Sequence, residues 1–399
     1  MKSRPSSERC RRTNRAALAV LCLMLSLGLT PIESASLPHV FSYFGVDLSR
    51  LEEMAGRYDA VIWHNHPKVR QALPELKRRK PSLEAFMYRE LFCVLKDETP
   101  LAESVGHYEW IETHHPDWFQ RDTHGNRIEV PDYPGRWMMN LGHPGWQAFW
   151  IEQTLQEVVA GGWDGAFADD ALTSVTAHRL PPLAGYPDDA SLQQAVLQFL
   201  ARAADAFHHA GKLFVANVSD SYDYPGLWER WLAVTDGLME EHFAGVGWTW
   251  GPDVARRQLE AMRLAAEQGK RMFCLTYGSW EERQRMMSSL SAYLLGAQSR
   301  IYWSYRPDEH SDDPAWDPSW ITTLGEPIGT VEVDGSVWQR RFEQGVVAAN
   351  VGDSPSSLAF AQGHVVLQPH QAIVIKNPPL RAAEAQPAWP MTRVDATTP

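Results

Sequence analysis

Residues 161–174 read GGWDGAFADDALTS: a short apolar run, Trp163 to Ala168, that ends in two adjacent carboxylates, Asp169 and Asp170. Like charges held close together raise one another's pKa and cost stability. A buried-looking strand that turns acidic at its end is therefore relieved by solvent or a partner, or is kept for chemistry. The phrase returns as TDGLMEEHF (235–243), with Glu240 and Glu241 in the place of the aspartates. Counting five from the Asp of each Asp-Gly lands on Asp169 and on Glu241. Successive side chains on a strand point to opposite faces, so one acid of each pair faces the axis of the sheet. Parity by itself permits Asp169 with Glu241 and, equally, Asp170 with Glu240.

Six further β-rich runs share the pattern of a polar strand end: VFSYFGVD (40–47), YDAVIWHN (58–65), LEAFMYRE (83–90), KLFVANVS (212–219), RMFCLTYG (271–278) and RIYWSYR (300–306). Amphipathic helical segments such as DDASLQQAVLQFLARAADAFHHAG fit between most of them. Strands alternating with helices give an α/β fold with a parallel sheet, and eight is the number that closes a (β/α)8 TIM barrel, here over 38–325. The rival is a doubly wound open sheet, which the lack of a Gly-rich phosphate loop after the first strand disfavours.

One connection is long. About seventy residues separate the third run from the fourth, too many for an ordinary loop. Their density of Trp, His and Pro, as in HHPDWFQRDTHGNRIEVPDYPGRWMMNLGHPGW, predicts an ordered wall over the barrel mouth. After Pro327 the pattern alternates apolar and polar, with turns at Asp334-Gly335 and Gly352-Asp353. That predicts a small antiparallel β-domain over 328–376, followed by a flexible Pro- and Ala-rich tail, 377–399.

The chain opens with basic residues, an apolar run (AALAVLCLMLSLGL) and small residues (ESAS), the order of a secretory signal peptide over 1–35. A retained membrane anchor is the alternative. The expected location is secreted or periplasmic. Residues 1–35 carry six basic and two acidic side chains, so without them the net charge deepens from −12 to −16. Such a charge argues against nucleic acid and against a stable membrane partner. Cys93 and Cys274 fall on distant strands and are expected to be free thiols.

In a barrel of this kind chemistry sits at the C-terminal strand ends. Those ends carry Asp47, His64, Asn65, Arg89, Glu90, Asp169, Asp170, Asn217, Glu240, Glu241, Tyr277 and Trp303. Alternate strands lie about 9–10 Å apart, so acids on strands four and six can approach within the roughly 5–9.5 Å at which glycoside hydrolases hold a nucleophile or base opposite a proton donor. Trp137, Trp146, Trp248, Trp250, Trp280 and Trp303 offer flat rings for sugar faces, and Asn140 lies among them in the long connection. His64 and His66, two apart on one strand, raise a metal-dependent hydrolase as an alternative, but later strands leave the ligand set incomplete; no metal or cofactor is expected. A non-catalytic glycan-binding protein is the other alternative, against which the paired acids argue.

The motifs YFGVD, VIWHNHP, FMYRE, HHPDWF, MNLGHPGW, DGAFADDA and DGLMEEHF resemble a bacterial family of hypothetical glycoside hydrolases with a TIM barrel, related to α-galactosidase-like and endo-α-polygalactosaminidase-like enzymes. The resemblance spans about 38–325, and the region after it is similar to the β-sandwich that often follows such barrels. It implies hydrolysis of an α-linked polysaccharide or oligosaccharide, with Asp169 as nucleophile or base, Glu241 as proton donor and Asp170 as a supporting acid. Asp47, His64, Asn65, Arg89, Glu90, Trp137, Asn140, Asn217, Glu240, Tyr277 and Trp303 are then the residues expected to hold the sugar.

Overall fold

Eight short strands form one sheet in chain order: β1 (Phe41–Tyr43), β2 (Ala60–Trp63), β3 (Glu84–Glu90), β4 (Gly165–Asp169), β5 (Leu213–Asn217), β6 (Gly237–Glu240), β7 (Arg271–Tyr277) and β8 (Ile301–Arg306). Each pairs in parallel with the next. Val40 bridges Trp303 in parallel, and the Trp303 N–H donates to His39 O at 2.9 Å, which brings the last strand back to the first. The computed structural model describes residues 37–44, 47–97, 102–218, 223–245, 250–307, 315–360 and 363–376. The expected signal segment, the tail from 377 and Trp248 lie outside the described residues.

The repeated Asp-Gly phrase has a structural cause. Asp164 accepts from the Ala85 N–H at 2.8 Å and Asp236 from the Phe214 N–H at 2.7 Å, so each aspartate ties the start of its own strand to the strand before. A Cβ on Gly165 would lie 2.2 Å from Leu213 O, and one on Gly237 would lie 2.6 Å from Arg271 O. Only glycine lets the next strand close in at those points.

Alternation then sorts every strand. Phe41, Ile62, Phe86, Phe167, Val215 and Phe273 fill the barrel interior. At its N-terminal end Arg271 pairs with Glu84, which also accepts from Tyr302 Oη at 2.9 Å. The opposite end is lined by Glu90, Asp169, Asn217, Glu241 and Tyr277. Outward residues meet helices, the longest being Asp189–His209 and Pro144–Gly161.

The long connection is ordered. Its strands Cys93–Leu95 and Arg136–Met138 pair antiparallel, and Trp146 and Trp150 are fully buried beneath it. Strands β9 (Pro327–Asp334), β10 (Val337–Phe342), β11 (Gly345–Asn350), β12 (Ser356–Phe360), β13 (Gly363–Leu367) and β14 (Ala372–Lys376) follow the barrel. They form a sheet in the order β9-β10-β11-β14 and a β12–β13 hairpin, which share a core of Val337, Ala348, Leu358 and Leu367. This is the barrel-plus-sandwich architecture that the sequence predicts. Cys93 and Cys274 are buried and unbridged.

Candidate active site

The C-terminal end of the barrel holds one hydrogen-bonded line of side chains. Asn217 Nδ2 donates to Asp169 Oδ1 at 2.8 Å and to Glu241 Oε2 at 2.6 Å. Tyr277 Oη donates to Glu241 Oε1 at 2.9 Å, and Tyr88 Oη lies 2.5 Å from Asp169 Oδ2. Tyr88 also lies 2.9 Å from Glu90 Oε1, which Arg136 of the long connection binds as an ion pair. Glu90 and Asp169 face each other in register across β3 and β4.

Burial dominates the electrostatics. It raises the Asp169 carboxyl to about 6, with the charge of Asp170 adding to the effect. Burial, and then the charge of Asp169, raise Glu241 to about 8. Burial also carries Glu90 to about 8, against the pull of Arg136. Acids pushed apart in this way take different roles in one site: the higher holds a proton near neutrality while the lower is ionised.

Asp170 leaves the line. With φ at 51° it turns toward His178, whose Nε2 lies 3.2 Å from Asp170 Oδ1. Burial opposes a charge on His178, but the hydrogen bond and charge of Asp170 outweigh it and lift the imidazole to about 9. The imidazole also stacks on Phe92.

Two linked acids two strands apart at the C-terminal end of a (β/α)8 barrel are an arrangement that suits a glycosidase, and comparison with known families agrees. The model of the hypothetical glycosyl hydrolase family 15 matches residues 77–346. The chain belongs to that family. It is a glycoside hydrolase. Among solved structures it is similar to the glycoside hydrolase domain of PelA from Pseudomonas aeruginosa, at 16% identity and TM-score 0.43, covering 72% of this chain and 98% of that one. It is also similar to Aspergillus fumigatus Ega3 in complex with galactosamine, at 10% identity and TM-score 0.42, covering 69% and 94%. A third is the α-amylase of Geobacillus thermoleovorans complexed with acarbose, at 11% identity and TM-score 0.48, covering 85% and 96%. A comparison with curated proteins returns no match.

Several residues that the sequence places in the sugar site of this glycosidase lie elsewhere. Arg89 and Asn65 face outward, where both bind Glu157 of the Pro144–Gly161 helix, Arg89 at 2.7 Å and Asn65 at 2.5 Å. Glu240 points away from the axis toward the helices Leu227–Val234 and Pro252–Glu267, so parity resolves in favour of Asp169 with Glu241. Trp303 is fully buried on the outer face, its Nε1 donating to Ser289 Oγ at 2.8 Å. Trp137 packs beside Tyr108 in the long connection, on the strand face opposite to Arg136. Asn140 accepts from Tyr186 Oη at 2.7 Å and shapes a turn. Asp47 lies beyond the end of β1 and caps a turn through Ser49 N at 2.9 Å. Of the other tryptophans, Trp250 is buried and donates to Gln258 Oε1 at 2.8 Å, and Trp280 packs against Tyr305 and Trp320.

His64 does reach the mouth, stacked face to face on Phe44 at 4.4 Å and edge-on to Tyr88 at 4.7 Å. Burial, then Arg136, depress it to about 3, so it is neutral. His66 diverges and caps the Pro67–Arg79 helix with Nδ1, which separates the two histidines on which the metal alternative rests. Among the described residues no group of three His, Cys, Asp or Glu side chains is arranged to hold a metal ion.

Sequence reasoning passed over Tyr43, Tyr88, Arg136, His178 and Arg306. Tyr88 is two residues before Glu90 on the same strand, which marks it as inward. Arg306, fully buried at the end of β8, sits over the Tyr43 ring at 5.8 Å.

Proposed function

We propose that the chain is a secreted, retaining glycosidase that cleaves an α-linked glycan with Asp169 as nucleophile and Glu241 as acid and base. The carrying observation is Asn217, whose single amide nitrogen reaches both carboxylates. The two arms together, about 5.4 Å, are the most that can separate the accepting oxygens, a bound that lies below the about 6.5–9.5 Å of inverting enzymes and favours the closer pair, roughly 5–5.5 Å, of retaining ones. Asp169, the lower of the two in pKa, attacks the anomeric carbon as the glycosidic C–O bond breaks, and Glu241 gives its proton to the departing oxygen. Water then attacks the glycosyl ester as Glu241 takes back a proton, and Asp169 leaves as carboxylate.

The α-configuration rests on the resemblance to α-galactosidase-like and endo-α-polygalactosaminidase-like enzymes. Export rests on the basic and apolar N-terminal segment. Hydrolysis of a polysaccharide panel, read by reducing-end release and by the anomer first seen in proton NMR, tests the chemistry. Asp169→Asn and Glu241→Gln should each lose at least about 10²–10⁴-fold in rate. An inverted first product, or full activity in either variant, refutes the mechanism. Sequencing of mature protein from outside the cell should begin between Ser34 and Pro38, and a soluble chain retaining Met1 refutes export.

A further inference from the structure

Tyr88 stands between two carboxylates with one hydroxyl hydrogen to give. Its oxygen lies 2.5 Å from Asp169 Oδ2 and 2.9 Å from Glu90 Oε1. A phenol donates a single hydrogen bond, so Tyr88 cannot give a full one to each. Tyr88, Glu90 and Asp169 are all buried, with 4%, 1% and 8% of their surface exposed. A buried acceptor that loses such a contest bears the cost of an unmade bond, unless it carries a proton and donates to the phenol itself.

We infer that Glu90 is a positioning residue for the glycosidase reaction: its ionisation sets, through Tyr88, how firmly the Asp169 carboxylate is held. A proton on Glu90 turns to the Tyr88 oxygen, and the tyrosine then gives its hydrogen wholly to Asp169. With Glu90 ionised, two carboxylates divide one donor and Asp169 is the less stabilised anion. A carboxylate that is better hydrogen-bonded attacks more slowly but leaves its glycosyl ester more readily. Glu90 therefore governs the balance between forming and breaking that ester. The inference rests on the reading of Asp169 as nucleophile.

The surroundings poise Glu90 between its two forms. Arg136 binds the same Oε1 that Tyr88 reaches and favours the anion. Burial and the charges of Asp170 and Asp169 favour the acid, and the Cys93 thiol, 3.7 Å from Oε2, is a weak donor. Arg136 also holds Glu103 at 2.7 Å, so it keeps a partner when Glu90 is neutral. Around Asp169, among the described residues, stand Tyr43 Oη at 3.5 Å, Glu241 and Tyr277 beyond Asn217, and Asp170 with its His178. Tyr88 is placed to link Glu90 and Asp169 directly.

The test is the burst of nitrophenol release from a nitrophenyl α-glycoside, whose amplitude reports how far the glycosyl ester accumulates. It is read from about pH 7 to 9, where Glu90 changes form and Asp169 is already ionised. The amplitude should rise with pH as Glu90 ionises. Glu90→Gln fixes the neutral form and should remove at least about half of that rise, and so should Tyr88→Phe. In the Tyr88→Phe background, Glu90→Gln should change the rise by less than about half as much as in the wild type. Equal changes in both backgrounds mean that Glu90 acts through its charge alone, and overturn the inference. An unaltered rise in Tyr88→Phe overturns it as well, without requiring that any Glu90 variant fold. Loss of activity in Asp169→Asn together with either of those results leaves the nucleophile assignment standing and removes only the role of Glu90. Full activity in Asp169→Asn removes both.

Discussion

Asp169 and Asp170 are adjacent in the chain and face apart: Asp169 accepts from Asn217 at 2.8 Å inside the barrel, whereas Asp170 turns outward to His178 at 3.2 Å. The left-handed backbone at Asp170, which aspartate tolerates better than most residues, separates the two charges. A cationic imidazole offsets the second one. The pair of acids is thus divided into the group we propose as nucleophile and an ion pair beside it.

That division predicts the effect of removing the imidazole. In His178→Gln the Asp170 charge loses its cation beside Asp169, so ionising Asp169 becomes harder. The acidic limb of the kcat/KM profile should rise by about one pH unit, with KM for a small substrate little changed. A limb that stays in place would falsify the shielding role.

Stability should fall with rising pH above neutrality. A carboxyl whose pKa is raised by folding binds its proton more tightly in the folded chain, so its contribution is lost as pH climbs from the unfolded to the folded value. Glu241 and Glu90 are both raised from near 4.5 to about 8. His178, raised from 6.5 to about 9, has the same sign: its stabilisation is complete below 6.5 and gone above about 9. His64 is depressed from 6.5 to about 3 and acts only below 6.5, where acid costs stability. Between pH 6.5 and 8 the three raised groups act together and His64 is silent. Melting temperature should fall across that window, and Glu241→Gln should flatten the fall. A profile equally steep in the variant counts against a half-buried, proton-holding Glu241.

The acids were legible because Asp-Gly fixes where a strand starts. Asp164 and Asp236 each tie their strand to its neighbour, Gly165 and Gly237 admit the close approach, and five residues on the side chain faces inward. The same parity rule, once His64, Tyr88 and Tyr302 are seen to face inward, turns Arg89, Asn65 and Trp303 outward, whereas the choice between Glu240 and Glu241 needed the structure. Arg136 and His178 were not legible by any such rule. Each arrives on a short element inside a long connection whose path is set by tertiary packing, and no local period says where in the barrel mouth such a side chain ends. The tryptophans misled for a related reason: large rings serve a core as readily as a sugar, and Trp146, Trp150 and Trp303 are buried completely.

The C-terminal sheet is docked on the barrel through Arg340. Its guanidinium donates to the carbonyls of Leu294, Leu295 and Ala297 at 3.3, 3.1 and 2.8 Å, where the Arg283–Gly296 helix ends and has no further N–H groups to satisfy them. Positive charge at a helix C-terminus is favourable in itself. Arg340→Met keeps the stem and removes the donors, and should cost about 1.5–3 kcal/mol, seen as a lower denaturation midpoint with kcat/KM unchanged. Ending the chain after Glu326 should go further and cause aggregation, since it bares the apolar helix face the sheet covers. A soluble, equally stable truncated barrel would show that the sheet is an appendage.

Arg89 distinguishes architecture from chemistry most directly, because the sequence assigned it to the sugar and the structure to a helix. Its guanidinium is buried and bound to Glu157, with Asn65 on the same carboxylate and backbone carbonyls of Ala102 and Ser104 on its other edge. Arg89→Met removes the cation and leaves Glu157 facing Asn65 alone. Breaking a fully buried pair costs about 3–5 kcal/mol. Glu157 is 36% exposed, and water takes over part of its solvation, so the loss belongs at the low end of that range. The variant should melt several degrees lower while its KM for a small glycoside stays within about twofold, since among the described residues the hydrogen bonds of its guanidinium to oxygen run to Glu157, Ala102 and Ser104, away from Asp169 and Glu241. Unchanged melting with a raised KM would return Arg89 to the sugar site.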